Sequence, residues 1–386
     1  MSSSVAANRS SDLPSILAAC FGIGAFGLAL GLTYPLLTVL LMERGVAPHV
    51  IGLNAATMGV GIAISTVFMS RLTASHGAGS LITAGLLGAA AVILAFGFTD
   101  SIAVWFGLRV ALGFAVNAVF VLTEAWVNAS AADGIRGRAV GGFTLSLSAG
   151  FALGPLGIPL LGTGSALPFA ACAVLVSMIA IGIGLMSRRA KARIQSAPAG
   201  SLRQFAIAAP LLVIMVMAFG FSDWTMISMM PAYFLDKGMG AGASSATVSV
   251  VHFGMILIGG PIGFALDRLP RLKVGAACAA CTAASFAVLP ALAPDGWGLW
   301  VVLTVLGAGS VGVYMTALTL LGERFSGGML VAGSAVFSMG FTIAGTIGMV
   351  GAGTAMEVIG PESVPVGFAL CFGALALTIL RAARAG

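Results

Sequence analysis

Charged and titratable side chains inside apolar sequence are the residues of this chain most able to do chemistry. Asp223 lies well inside the apolar run from 205 to 235. An ionisable group in such a run marks a proton relay or a ligand site by default. Asp223 is therefore a candidate proton carrier; the other readings are a solvated acid in an aqueous vestibule and a direct grip on a cationic substrate. His252 is a possible second titrating group, against the alternative of a packing histidine. Arg109 is the Lys or Arg that falls within a span, roughly 10 Å from its outer end at 1.5 Å per residue. It serves an interior site unless its flexible stem lets it snorkel to the headgroups. At 100° per residue Gly113, Asn117, Phe120 and Glu124 share a face with Arg109. Glu124 lies roughly 22 Å from Arg109 along the axis and cannot pair with it. It is a candidate proton site, or else a structural acid bonding to Arg136 and Arg138 near Trp126, which reads as an interfacial anchor. Trp224 and Met226, with neighbouring Met and Phe residues, could form an adaptable apolar pocket; ordinary packing is the alternative for most of these methionines.

The elements that position these residues are apolar helices. Of the residues, 59% are hydrophobic and 8% charged, against roughly a quarter charged in a soluble domain. A helix crossing roughly 30 Å of hydrocarbon needs about 20 apolar residues, because its backbone must satisfy itself without water. Such runs are expected over 16–42, 50–70, 80–98, 102–126, 140–161, 166–187, 205–235, 245–265, 274–292, 297–321, 329–350 and 363–381. The fold class is all-α membrane protein with twelve transmembrane helices. The segment before Pro14 is polar, and the run after it is too long for a signal peptide's core, so it is expected to remain as a tail.

The net charge of +6 raises nucleic acid as a partner, but the positions of the basic residues argue against it. All of the 18 Lys and Arg except Arg44, Lys237 and Arg109 fall in loops on one side. The positive-inside rule then places both termini in the cytoplasm, and the chain in a bacterial inner membrane. Cys278 and Cys281 form a C-x-x-C, but on an apolar helix with no second pair it predicts neither metal nor redox chemistry.

The basic connection 188–204, containing Pro198 and Gly200, divides the chain into six-helix halves over 1–187 and 205–386. Short echoes support a duplication. Met42-Glu43-Arg44-Gly45 matches Leu235-Asp236-Lys237-Gly238, and Ser70-Arg71-Leu72 matches Asp267-Arg268-Leu269. The sequence here resembles the major facilitator superfamily over essentially its whole length. Gly263 through Asp267, Arg268 and Arg271 is similar to that family's cytoplasmic G-x-x-x-D-R-x-x-R signature. Arg109 through Gly113 is similar to its intramembrane R-x-x-x-G. Gly141, Gly150 and Gly154-Pro155 match the spacing seen in its proton-driven antiporters, although the paired glycines expected next are replaced by Gly157-Ile158-Pro159. A narrower resemblance, through Glu124-Ala-Trp126-Val-Asn128 and Tyr314 to Phe325, points to a poorly characterised bacterial subgroup.

The resemblance implies two pseudo-symmetric bundles with a cavity lined by spans one, four, seven and ten. It places Arg109, Asn117, Glu124 and Asp223 toward that cavity, with Phe120, Trp224, Met226 and Tyr314 around the substrate. Asp267, Arg268 and Arg271 would latch one face, the bland alternative being a basic loop that only fixes topology. Gly141, Gly150, Gly154 and Pro155 would allow close approach and bending where the bundles rock, as would the glycines of span eleven. The expected function is proton-coupled export of a small, partly apolar molecule by alternating access; the alternative is an uptake symporter or uniporter for a small metabolite. The implied partners are that substrate, protons and the lipid bilayer, with the chain acting as a monomer and without cofactor or metal. An enzyme is disfavoured for lack of a nucleophile and base at readable spacing, and a channel for lack of a repeated filter-like segment.

Overall fold

The computed structural model of the chain describes residues 12–130, 136–187 and 202–385. Among these, twelve helices are long and apolar enough to cross a membrane: α1 (Leu13–Glu43), α2 (Pro48–His76), α3 (Ala78–Phe96), α4 (Ile102–Ser130), α5 (Arg136–Leu153), α6 (Leu167–Ser187), α7 (Pro210–Asp236), α8 (Ala241–Arg268), α9 (Arg271–Val288), α10 (Trp297–Arg324), α11 (Gly327–Val358) and α12 (Ser363–Ala385). Most of the expected tail and of the basic connection lies outside the described residues. An even number of crossings puts the two described ends on one side, called here the terminal face; the opposite side is the distal face.

One expected span boundary needs correction, and another span is irregular inside its expected bounds. The run read as continuous from 205 breaks at Ala209 into a short helix, Leu202–Ala208, and α7. Pro210 is the cause, since its ring disfavours helical backbone at the preceding residue, and Ala209 sits at φ −136°, ψ 52°. Span five tightens into a 3₁₀ turn at Gly154–Leu156 before resuming over Gly157–Leu161. Pro155 and Pro159 each remove an amide donor there.

The duplication is visible in packing. In the first half α1 packs on α5, α2 on α4, and α3 on α4 and α6; in the second, α7 packs on α11, α8 on α10, and α9 on α10 and α12. Matching helices also end alike. Val46 N–H donates to Leu41 O at 3.0 Å and Met239 N–H to Phe234 O at 2.9 Å. Between them Gly45 and Gly238 take φ of +70° and +87°, the left-handed turn that closes a helix C-terminus. Arg44 and Lys237, the basic residues of the distal face, both form ion pairs, with Asp100 at 2.6 Å and Glu362 at 3.0 Å.

Glycines set the helix crossings, as expected where lipid leaves close packing as the main force between helices. Gly61 meets the Val110 carbonyl while Gly113 meets that of Met58, so α2 and α4 touch backbone to backbone. In the second half Gly254 meets the Thr304 carbonyl and Gly307 that of Val251, joining α8 to α10.

The halves meet from the middle of the molecule to the distal face. α2 packs on α11, α5 on α8, and α1 on α7. Gly52 abuts the Met349 carbonyl, Gly353 that of Pro48, and Gly242 abuts Pro159. Thr38 Oγ1 donates to Ser228 O at 2.7 Å, and His49 pairs with Glu357 at the distal rim. Toward the terminal face the halves part, with α4 and α10 sharing no more than marginal contact.

Candidate functional site

The α2–α4 crossing explains where Arg109 goes. Arg109 lies one turn before Gly113, and Asn54 lies one turn before Met58, so the backbone contact brings the two side chains together. Arg109 Nε donates to Asn54 Oδ1 at 3.2 Å, and its guanidinium lies 4.3 Å from the centre of the Tyr34 ring. Arg109 is 1% exposed, which removes the snorkelling alternative. It also corrects the expected orientation. Arg109, Gly113 and Asn117 face α2 rather than an open cavity, Asn117 donating to Thr66 Oγ1 at 3.1 Å.

Tyr34 carries this cluster across to the second half. Its hydroxyl donates to Ala55 O at 3.3 Å, and its ring packs on Trp224 at 5.4 Å. Trp224 is seated in the space left by Gly345 and touches Phe341. The neighbouring Asp223 is buried and lies 3.7 Å from Nε2 of His252. His252 Nδ1 bonds to Val248 O at 2.9 Å, and the ring stacks on Phe151 of the first half at 5.2 Å. With Nδ1 donating to a carbonyl, Nε2 is the nitrogen turned toward the carboxyl. His252 is thus packed and bonded as a core histidine is, and it also faces the other titratable group picked out, with Phe151 of the first half stacked on its ring.

Polar atoms here are left over. Asp223 Oδ1, Trp224 Nε1, Arg109 Nη1, Asn54 Nδ2 and Ser249 Oγ are buried without hydrogen-bond partners among the described residues. Buried polar atoms are almost always paired, so such a concentration marks a place built for something besides packing.

On the terminal side of these residues the lining is aromatic. Phe26 packs tilted on Phe120 and edge-on to Phe151, and Phe219 stacks on Tyr314 and packs tilted on Phe341. Phe120 and Tyr314 thus belong to aromatic groups of opposite halves, while Trp224 lies between Tyr34 and Phe341. Glu124 is exposed and within electrostatic reach of Tyr314 across the gap; the expected bond to Arg136 falls on a side chain outside those described. Met226 is a correction. It turns away into the packing of α7, α9 and α12, beside Phe286 and Phe368, because the seam face of α7 is taken by Trp224 and Ser228. Trp126 is buried rather than interfacial, lying over Gly79 of α3.

The expected gating residues Asp267, Arg268 and Arg271 sit where α8 ends and α9 begins. Arg271 pairs with Glu323 at 2.9 Å and Arg268 lies 3.9 Å over the Phe264 ring; both contacts stay within the second half. Asp267 is exposed, and Arg271 makes its ion pair with the neighbouring end of α10. Gly150 and Gly154 do allow a close approach, but to the backbone of α1 in their own bundle, and Gly141 has open space around it. In α11, Gly345 and Gly348 likewise receive α7. The faces that meet across the halves carry Gly52, Gly59, Gly242 and Gly353 instead. Sequence reasoning also passed over Tyr34, Thr38, Asn54 and Phe151. The signal for Tyr34 and Asn54 was a hydroxyl or amide in an otherwise apolar span.

Among the described residues no cluster of His, Cys, Asp and Glu is able to hold a metal, and the five cysteines are free.

The sequence model described as Major Facilitator Superfamily matches residues 19–349. An uncharacterized MFS-type transporter, YfkF of Bacillus subtilis (strain 168), is 25% identical over 255 residues, covering 64% of this chain and 65% of that protein. Thus the match spans a little under two thirds of that relative's length. Among solved structures, a mutant of the nucleoside transporter NupG superposes with a TM-score of 0.74 at 14% identity, over 95% of this chain and 99% of that one. A mutant of the peptide transporter POT gives 0.75 at 13%, over 96% and 94%.

Proposed function

Because the chain belongs to the Major Facilitator Superfamily, we propose that it is a proton-coupled secondary transporter that exports a small, partly apolar molecule by alternating access. The observation that carries this reading is the buried Asp223–His252 pair at the junction of the halves. With Nδ1 of His252 committed to Val248 O, the carboxyl and Nε2 can share one proton. At 3.7 Å they stand beyond normal hydrogen-bond reach, so a small shift or one water completes the bond. Phe151 covers the imidazole from the first half. Parting the halves at the distal face withdraws that cover and hydrates the pair, which changes its proton affinity. A proton bound more tightly in one conformation than in the other shifts the population between them, and that difference is the coupling. The aromatic walls formed by Phe120, Phe26, Phe219 and Tyr314 suit a ligand with apolar surface. Export is favoured by the glycine spacing of α5 together with this scarcity of fixed charge.

The test uses everted membrane vesicles and a panel of labelled metabolites and drugs, with an imposed pH gradient as the sole energy source. The expected result is gradient-dependent accumulation of at least one compound, lost in Asp223→Asn, while energy-independent exchange of the same compound persists. Accumulation that ignores the gradient, or an Asp223→Asn variant that accumulates normally, overturns the proton role. Loss of binding as well as flux would instead assign Asp223 to holding a cationic substrate.

A further inference from the structure

Away from the junction of the halves, the outer side of the second half carries a groove of about 500 Å³ between α8 and α9. One wall runs from Ile258 to Leu269 and the other from Pro270 to Cys281, with Ala308 and Gly309 of α10 as its floor. Each wall is 12 residues long, so the groove extends roughly 16 Å from the terminal face, eleven rises of about 1.5 Å each. That is about half of a roughly 30 Å hydrocarbon layer, the depth of one leaflet. Its lining is apolar except at the mouth. There the exposed Lys273 stands in the first turn of α9, where free amide groups add positive potential.

We propose that this groove holds one anionic phospholipid, with an acyl chain along α8 and α9 and the phosphate at Lys273. The match is threefold: depth to a leaflet, lining to a hydrocarbon chain, and a cation where the headgroup lies. A second transmembrane helix, about 10 Å wide with its side chains, is too broad for a slot this size. The small floor residues make the slot. Gly309 leaves no room for a Cβ, which would stand 2.5 Å from Thr282 Oγ1, so α10 can press against α9 while α8 and α9 stay apart.

The test is native mass spectrometry of the full chain released from nanodiscs containing equal phosphatidylglycerol and phosphatidylethanolamine. Two variants accompany it, Lys273→Gln at the mouth and Ala277→Trp filling the exposed wall, with thermal unfolding confirming that both fold. Wild type is expected to retain one phosphatidylglycerol. Lys273→Gln should lower that occupancy about fivefold, the effect of one near-surface lysine on anionic lipid, and Ala277→Trp should abolish it. Equal retention of both lipids, or retention untouched by the two variants, overturns the proposal. A pair of chains dissociated by Ala277→Trp would assign the groove to a second copy instead.

Discussion

Arg109 donates from Nε to Asn54 and lies over the Tyr34 ring, while its Nη1 has no hydrogen-bond partner among the described residues. Its planar fork both bonds Asn54 and stacks on Tyr34, a combination that a lysine ammonium cannot reproduce. A desolvated cation–π contact contributes about 2 kcal/mol, and removing the side chain would also leave Asn54 Oδ1 unpartnered in a fresh cavity. Arg109→Ala should therefore lower the melting temperature in detergent and abolish transport together. Arg109→Lys should fold nearly as well but transport at least about tenfold more slowly, because the stack that holds Tyr34 against Trp224 is lost. Thermal unfolding and initial rates on the same preparations check this; an alanine variant that melts like wild type removes the structural half of the argument. The chemical types at this site were legible in sequence, since Asp223, His252 and Arg109 stand out against apolar neighbours. Their pairing was not. Asp223 meets His252, and Arg109 meets Tyr34, through helix crossings at which glycines of both partner helices take part, Gly61 and Gly113 for α2 and α4, Gly254 and Gly307 for α8 and α10.

At the scale of elements, α11 has two working faces. One presents Gly345 and Gly348 to α7 inside the second bundle; the other brings Met349 and Gly353 against Gly52 and Pro48 of the first. Sequence shows that α11 is rich in small residues but not which of them meets which neighbour, since a glycine pattern names a close approach without naming its partner. That is why Gly150 and Gly154, expected at a moving boundary, instead fix α1 to α5 within one bundle. The distinction is testable. Overpacking a tight contact costs about 1–3 kcal/mol, and between bundles that cost falls on one conformation alone. Gly52→Leu should shift the protein away from the distally closed state by about tenfold, read as faster maleimide labelling of Ser228→Cys from the distal side. Gly150→Leu should lower the melting temperature without favouring either conformation. The same labelling rate for Gly52→Leu and the parent would mean that the α2–α11 contact is not part of the gate.

For the whole molecule, the twelve spans followed from hydropathy, because each span satisfies its own backbone and so announces itself locally. Orientation is an expectation from the placement of the basic residues. Reporters fused after Arg193 and after Gly386 should read cytoplasmic and one after Lys237 periplasmic; a reversed pattern at either end would remove this topology. The parted walls of α4 and α10 carry a further consequence. In an alternating-access cycle, closing that side must expel the water between them, so the osmotic pressure of any solute too large to enter assists the closing and opposes the reopening. Crowding or osmotic stress on the terminal side thus favours the conformation closed there, without binding anything and without a dedicated regulatory site.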